Sequence, residues 1–140
     1  MVDISQTPAN VVKGSNASVI QVTAGVTVLA GEVVYRDSTD SDEYKLAIDT
    51  SAAAAAAIGI ALNGADDGQP LTVQTSGDID VGGTVKLGKV YCVSSTAGAI
   101  AEVDDTSTSD WVTVLGTGES SSVLPLNIRA SGVQAAEGVA

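Results

Sequence analysis

Apolar residues recur along this chain in short runs, several alternating with polar ones at the period of two that marks a half-buried strand. Val26-Thr27-Val28 alternates, Gly31 interrupts, and Val33-Val34-Tyr35 follows. Later runs are Ile58-Gly59-Ile60-Ala61-Leu62, Leu71-Thr72-Val73-Gln74-Thr75, Thr84-Val85-Lys86-Leu87 and Val90-Tyr91-Cys92-Val93. Trp111-Val112-Thr113-Val114-Leu115 and Leu124-Pro125-Leu126-Asn127-Ile128 complete the series. Each is short, mostly β-branched, and bounded by Gly, Asp, Ser or Asn. Short strands at such spacing predict an all-β fold, a small β-barrel or sandwich. The 15 glycines read as turn residues between these strands.

One segment departs from the pattern. Ala52 to Ala57 is a run of strong helix formers behind Asp49, Thr50 and Ser51, each able to cap. The run makes under two turns, too short for a self-supporting helix. A single helical turn or tight loop feeding the strand at Ile58 is expected, and strand throughout remains open at this level.

The chain also resembles itself. Gln69-Pro70-Leu71-Thr72-Val73-Gln74-Thr75-Ser76-Gly77 aligns with Leu124-Pro125-Leu126-Asn127-Ile128-Arg129-Ala130-Ser131-Gly132, with Pro, Leu, Ser and Gly identical. Val34-Tyr35 corresponds to Val90-Tyr91, and Gly59 to Gly116, at nearly the same offset. Two related halves, 22–80 and 81–132, are therefore expected to share one core, since neither can bury its own sheet. Ahead of them, residues 1–21 mix Pro, Asn, Ser and Thr with scattered aliphatics. They read as an extended N-terminal arm, ordered on docking, and the domain is expected to fold without residues 2–18. Residues 133–140 form a small-residue tail.

Composition narrows the chemistry. There is no Phe and one Trp among 140 residues, so the core must be built from Ala, Val, Ile and Leu. Such side chains fill thin layers well and line ligand pockets poorly. Seventeen acids against six bases give a net charge of −11, and no Lys/Arg cluster exists to neutralise phosphates, which argues against nucleic acid as a partner. Cys92 is the lone cysteine; alternation sets it opposite Tyr91 and Val93, and it is expected to point inward as a small hydrophobe. No basic-then-apolar leader opens the chain and no apolar run reaches membrane-spanning length. A protein made in the cytoplasm, with no membrane partner, is expected.

With no histidine, Ser-His-Asp and Cys-His nucleophiles and imidazole-bound zinc are excluded, and no phosphate-binding loop occurs. Carboxylates remain. Asp37, Asp40, Asp42 and Glu43 crowd one polar segment, where hard oxygens could hold calcium, although the EF-hand spacing and its central Gly are missing. An exposed acidic hairpin explains them as well, and Asp66-Asp67-Gly68 and Asp104-Asp105 read as turns. A glycosidase-like carboxylate pair would lack an aromatic platform for its sugar. Asn16-Ala17-Ser18 matches a glycosylation acceptor but has no leader to make it relevant. The expectation is a protein without catalytic residues, cofactor or metal.

Thr23-Ala24-Gly25-Val26-Thr27-Val28-Leu29-Ala30-Gly31-Glu32-Val33-Val34-Tyr35 resembles the opening strands of tailed-bacteriophage capsid cement (head decoration) proteins. So do the Ala-rich segment ending in Ala57-Ile58-Gly59-Ile60-Ala61 and the strand Gly68-Gln69-Pro70-Leu71-Thr72-Val73-Gln74-Thr75-Ser76-Gly77. The resemblance spans residues 20–93. It implies a small β-barrel-like virion protein, commonly a homotrimer, that binds the outside of an assembled head and reinforces junctions between major capsid protein subunits. It supplies no catalytic residues. In this setting Val11, Val12, Val19 and Ile20 are the candidate capsid-interaction residues, able to add a strand to a neighbour's sheet. Other classes open at this level are a phage fibre or baseplate module, a secreted bacterial surface module, and a carboxylate-based calcium binder or hydrolase.

Overall fold

The computed structural model describes residues 3–103 and 110–134. In chain order the elements are β1 (Gln6–Lys13), β2 (Ser18–Thr23), β3 (Val33–Asp37), β4 (Glu43–Leu46), α1 (Ala52–Ala55), β5 (Gly59–Ala61) and β6 (Pro70–Gly83). They continue with β7 (Val90–Val93), β8 (Ile100–Glu102), β9 (Trp111–Thr117), β10 (Val123–Asn127) and β11 (Arg129–Gln134). The all-β expectation holds, as a sandwich-like pair of antiparallel sheets rather than a closed barrel.

The larger sheet runs β1-β6-β5-β3-β4, with β2 and β10 also paired to β6; the smaller runs β11-β9-β7-β8. Strand β6 organises the first sheet. Over its 14 residues it pairs in turn with β2 (Thr23↔Pro70 to Ser18↔Ser76), β5 (Ile60↔Gln74), β10 (Leu126↔Gly77) and β1 (Lys13↔Ile79 to Gln6↔Gly83). The two sheets share one motif: hairpin β3–β4 takes β5 on the outer edge of β3, and hairpin β7–β8 takes β9 on the outer edge of β7. The halves then diverge, because β10 leaves the second half to join β6 and only β11 returns to β9.

The main core lies between the sheets and is built from Val33, Ile60, Ile79, Val81, Tyr91, Val93, Ile100, Leu115, Leu124 and Leu126, with Ala47, Ala57 and Val85 filling its rim. A smaller core lies on the other side of the β3–β5 layer, where Val34, Ala61, Leu71 and Val73 meet Ala24, Val28, Tyr44 and Ala65. Neighbouring residues on one strand thus serve different cores, Val33 and Ile60 one, Val34 and Ala61 the other. This explains why β3 and β5 carry unbroken aliphatic pairs instead of strict alternation. The same holds in β7, where Tyr91, Cys92 and Val93 are all buried. Cys92 is fully buried as expected, but the main core takes the other face, that of Tyr91 and Val93.

The structure corrects the organisation read from the sequence at three places. Residues 6–23 are not a detached arm: β1 and β2 run antiparallel along β6 in succession. Upstream, Asp3 bridges Ala101 and the Ile4 N–H bonds the Ile100 carbonyl at 2.9 Å, which adds the start of the chain to β8. The N-terminal run therefore ties both sheets together. Val26-Thr27-Val28 is not a strand; Val28 makes only an isolated bridge to Ala65. Thr84 to Leu87 is not a strand either, because its donors go to scattered partners: Val85 to Ser121 and Lys86 to the Tyr91 hydroxyl. The alanine run resolves into one helical turn whose N-cap is Ser51, its Oγ accepting from the Ala54 N–H at 3.2 Å. Of the 133–140 tail, β11 takes in residues through Gln134; the remainder, like Asp104-Asp105, lies outside the described residues.

Candidate functional site

The four valine and isoleucine positions singled out for docking divide by strand alternation. Val11 sits opposite Val81 and packs on the main core, and Ile20 sits opposite Val73 and packs on the smaller one. Their neighbours Val12 and Val19 point outward, 58% and 42% exposed. Among the described residues neither β1 nor β2 pairs with any strand but β6, so each has an edge with no strand partner. Beside it, Val11, Val12, Lys13, Leu62, Asn63 and Thr72 line an open, largely apolar groove.

The close seat of this run is made by glycines on β6. A Cβ at Gly83 would fall on the Ser5 carbonyl oxygen, and one at Gly82 would lie 2.6 Å from that of Thr7. At Gly77, where φ is +90°, a Cβ would lie 2.5 Å from the Asn16 carbonyl oxygen. The Asn16 side chain also accepts the Asp78 N–H at 2.9 Å. Gln74 braces the bend from inside. Fully buried, it donates its amide to the Asp78 carbonyl at 2.8 Å and lies within 3.2 Å of those of Ser76 and Gly77.

The acidic segment is a hairpin turn between β3 and β4, with Asp37 opposite Glu43. Lys45 reaches into it and bonds Asp37 at 2.9 Å and Asp40 at 2.8 Å, while Thr39 donates both its N–H and its hydroxyl to Asp37. These hydrogen bonds, from Thr39 first and Lys45 second, hold the Asp37 carboxyl down at about 2, and the same carboxylates raise the Lys45 ammonium. Arg36 lies 3.8 Å from Asp42. The cation that these carboxylates hold is thus a lysine from their own hairpin. In the second sheet the signs are exchanged: Glu102, at the end of β8, takes Lys86 at 2.8 Å and Lys89 at 3.5 Å from the segment ahead of β7. Four of the six basic residues are consequently neutralised by the chain's own acids, and the surface presented outward is strongly negative.

Asp49 is a feature that sequence reasoning treated only as a possible helix cap. It is 1% exposed, and among the described residues no hydrogen-bond donor reaches either oxygen of its carboxyl. Burial and the adjacent Asp110 carboxylate push it up to about 6. The signal for it was weak: an Asp directly after Ala47-Ile48, where a cap was already available in Ser51.

No protein-family model matches this chain, and no curated protein is significantly similar to it.

Proposed function

We propose that this protein is a structural virion component that binds the outer surface of an assembled tailed-phage capsid and stabilises it, working as a homotrimer against the major capsid protein. The observation that carries this reading is the β1–β2 run, an extended N-terminal strand pair with one edge unpaired and Val12 and Val19 facing outward. An edge of this kind captures an extended segment through main-chain hydrogen bonds, with alternate side chains giving specificity. The resemblance over residues 20–93 supports the same reading. So does the thin aliphatic core, a build suited to a rigid clamp rather than to enclosing a ligand.

The geometry also refines how docking would work. Because the run is already seated on β6, it is offered to the capsid as a prepared edge and does not have to order on contact. That lowers the entropic cost of binding, and many such contacts on a lattice act through effective concentration. The strongly negative outer surface keeps free copies apart until they meet the head.

The test is to add purified protein to undecorated heads and measure occupancy by sedimentation, with a Val12→Asp/Val19→Asp double variant alongside. Both sites are exposed, so the variant is expected to melt within about 0.5 kcal/mol of the parent and to lose most occupancy. Equal occupancy would remove this edge from the mechanism. Absence of binding by the parent protein would end the decoration reading and leave a fibre, baseplate or secreted surface module.

A further inference from the structure

The buried Asp49 carboxyl stands where the two sheets are joined. Its N–H bonds the Ser94 carbonyl at 3.2 Å, beyond β7, and its own carbonyl accepts from the Trp111 N–H at 2.9 Å, at the start of β9. One residue earlier, the Ile48 N–H bonds the Ala54 carbonyl of α1 at 3.1 Å. Asp49 thus closes the segment leaving β4 onto the second sheet. The charged groups around it are Asp110, just ahead of β9, and Asp3, whose carboxylate accepts the Ser94 hydroxyl proton.

Asp110 directly precedes Trp111, whose N–H bonds the Asp49 carbonyl, so the two acids are neighbours, and among the described residues no hydrogen bond reaches either Asp49 carboxyl oxygen. Two neighbouring carboxyls cannot both ionise without repulsion, and a buried one without a donor bears a large desolvation cost when charged. One proton on Asp49 relieves both, and gives it a donor to offer to Asp110. We propose that Asp49 and Asp110 form a proton-sharing latch between the two sheets, closed when the pair holds one proton and strained when both carboxyls are ionised.

The sign follows from linkage. The group binds its proton more tightly folded, at about 6, than at its ordinary 3.8, a hold roughly a hundredfold stronger. The stabilisation is complete below the unfolded value and is lost as pH rises through the folded one. With no histidine in the chain, no other side chain has its ordinary titration between pH 5 and 7.

Thermal melts of the full chain at intervals from pH 5 to pH 7, joined to a carbon NMR titration of the aspartate carboxyls, test the latch. The parent protein is expected to melt at progressively lower temperature as pH rises across this window, with Asp49 titrating near its midpoint. Asp49→Asn, whose amide donates without titrating, is expected to melt independently of pH there and above the parent at pH 7. Asp110→Asn is expected to move the Asp49 midpoint downward, and this NMR arm decides the matter even where Asp49→Asn fails to fold. An Asp49 that titrates in the ordinary carboxylate range, or a parent melt flat from pH 5 to 7, overturns the proposal. So does calcium chloride that restores the pH 5 melting temperature at pH 7 in the parent and not in Asp49→Asn, since the pair would then hold a metal ion in place of the proton.

Discussion

The N-terminal run from Asp3 to Thr23 and the acidic turn from Asp37 to Glu43 look alike as sequence. Both are largely polar, both carry few large apolar side chains, and both invite a place at the periphery. In the structure they are opposites. The acidic turn projects from the end of a hairpin and settles its charges locally, with Lys45 and Thr39. The N-terminal run pairs with β6 along its length, reaches β8, and places Ile4 and Val11 against the main core. The difference lies in what the partner strand has given up. Strand β6 carries glycine where the run's backbone presses closest, at Gly77, Gly82 and Gly83, and a glycine inside a strand is often the mark of such an approach. How polar a segment is says little about how deeply it is built in; the space reserved for it elsewhere says more.

This contrast can be broken most directly by removing the run. The expectation that the domain folds without residues 2–18 does not survive the pairing with β6 and β8. Their deletion strips β6 of a partner along half its length and uncovers the main core beside Val81. The deleted chain is expected to lose cooperative melting, measured by near-UV circular dichroism; a sharp transition close to that of the parent would return the run to the periphery. Gly83→Val makes the same point with one residue. Its side chain would occupy the place of the Ser5 carbonyl, and a loss of about 1–3 kcal/mol in urea unfolding is expected, as for other overpacked sites.

Cys92 reports on the same comparison without a melt. It is fully buried, opposite Ala101 of β8 and Val114 of β9, so native labelling by a thiol reagent should be slow. Gly83→Val should hasten it by loosening the start of the chain next to β8. Changes in the acidic turn should not, and equal acceleration by both would erase the distinction.

Smaller effects belong to the turn itself. Because Asp37 titrates at about 2, below its ordinary 3.8, its contribution is present above the unfolded value and is lost as pH falls through the folded one. Asp37→Asn should therefore flatten the acid limb of the melting curve between pH 4 and 2, the reverse in sign and window of the Asp49 effect. Smallest of all, Asp40→Asn, Asp42→Asn and Glu43→Gln together should shift stability by no more than about 0.5 kcal/mol at neutral pH.

Much of this architecture was legible beforehand. The β-branched runs at Val33, Ile58, Leu71, Val90, Trp111 and Leu124 are strands because little else suits residues stiff at χ1 with turn formers on each side. The alanine run became a helical turn because Ser51 caps it. The seating of the N-terminal run escaped the sequence through one assumption, that glycine ends a strand. Gly77 and Gly82 were read as boundaries, so β6 was expected to stop near Ser76 when it continues to Gly83. Without the far half of β6, the N-terminal run had no visible partner. That Val12 and Val19 face outward while Val11 and Ile20 pack inward could not be read until register fixed which way each pair alternates. Asp49 was hidden for another reason, since its burial is made by segments about 45 and 60 residues further on, at Ser94 and Trp111.

That Asp3 and Ile4 pair with the strand holding Ile100 and Ala101 also says something about how the chain comes into being. Asp3 and Ile4 leave the ribosome long before their partners, since β6 and then β8 must be synthesised before the N-terminal run has anything to pair with. Until then it is an unpartnered strand in the open, exposed to neighbouring nascent copies. Closing loops of this length before any contact is gained makes folding slow. During that interval the excess of carboxylates acts as a safeguard, keeping unfinished chains at a distance while each waits for its own β6 to emerge.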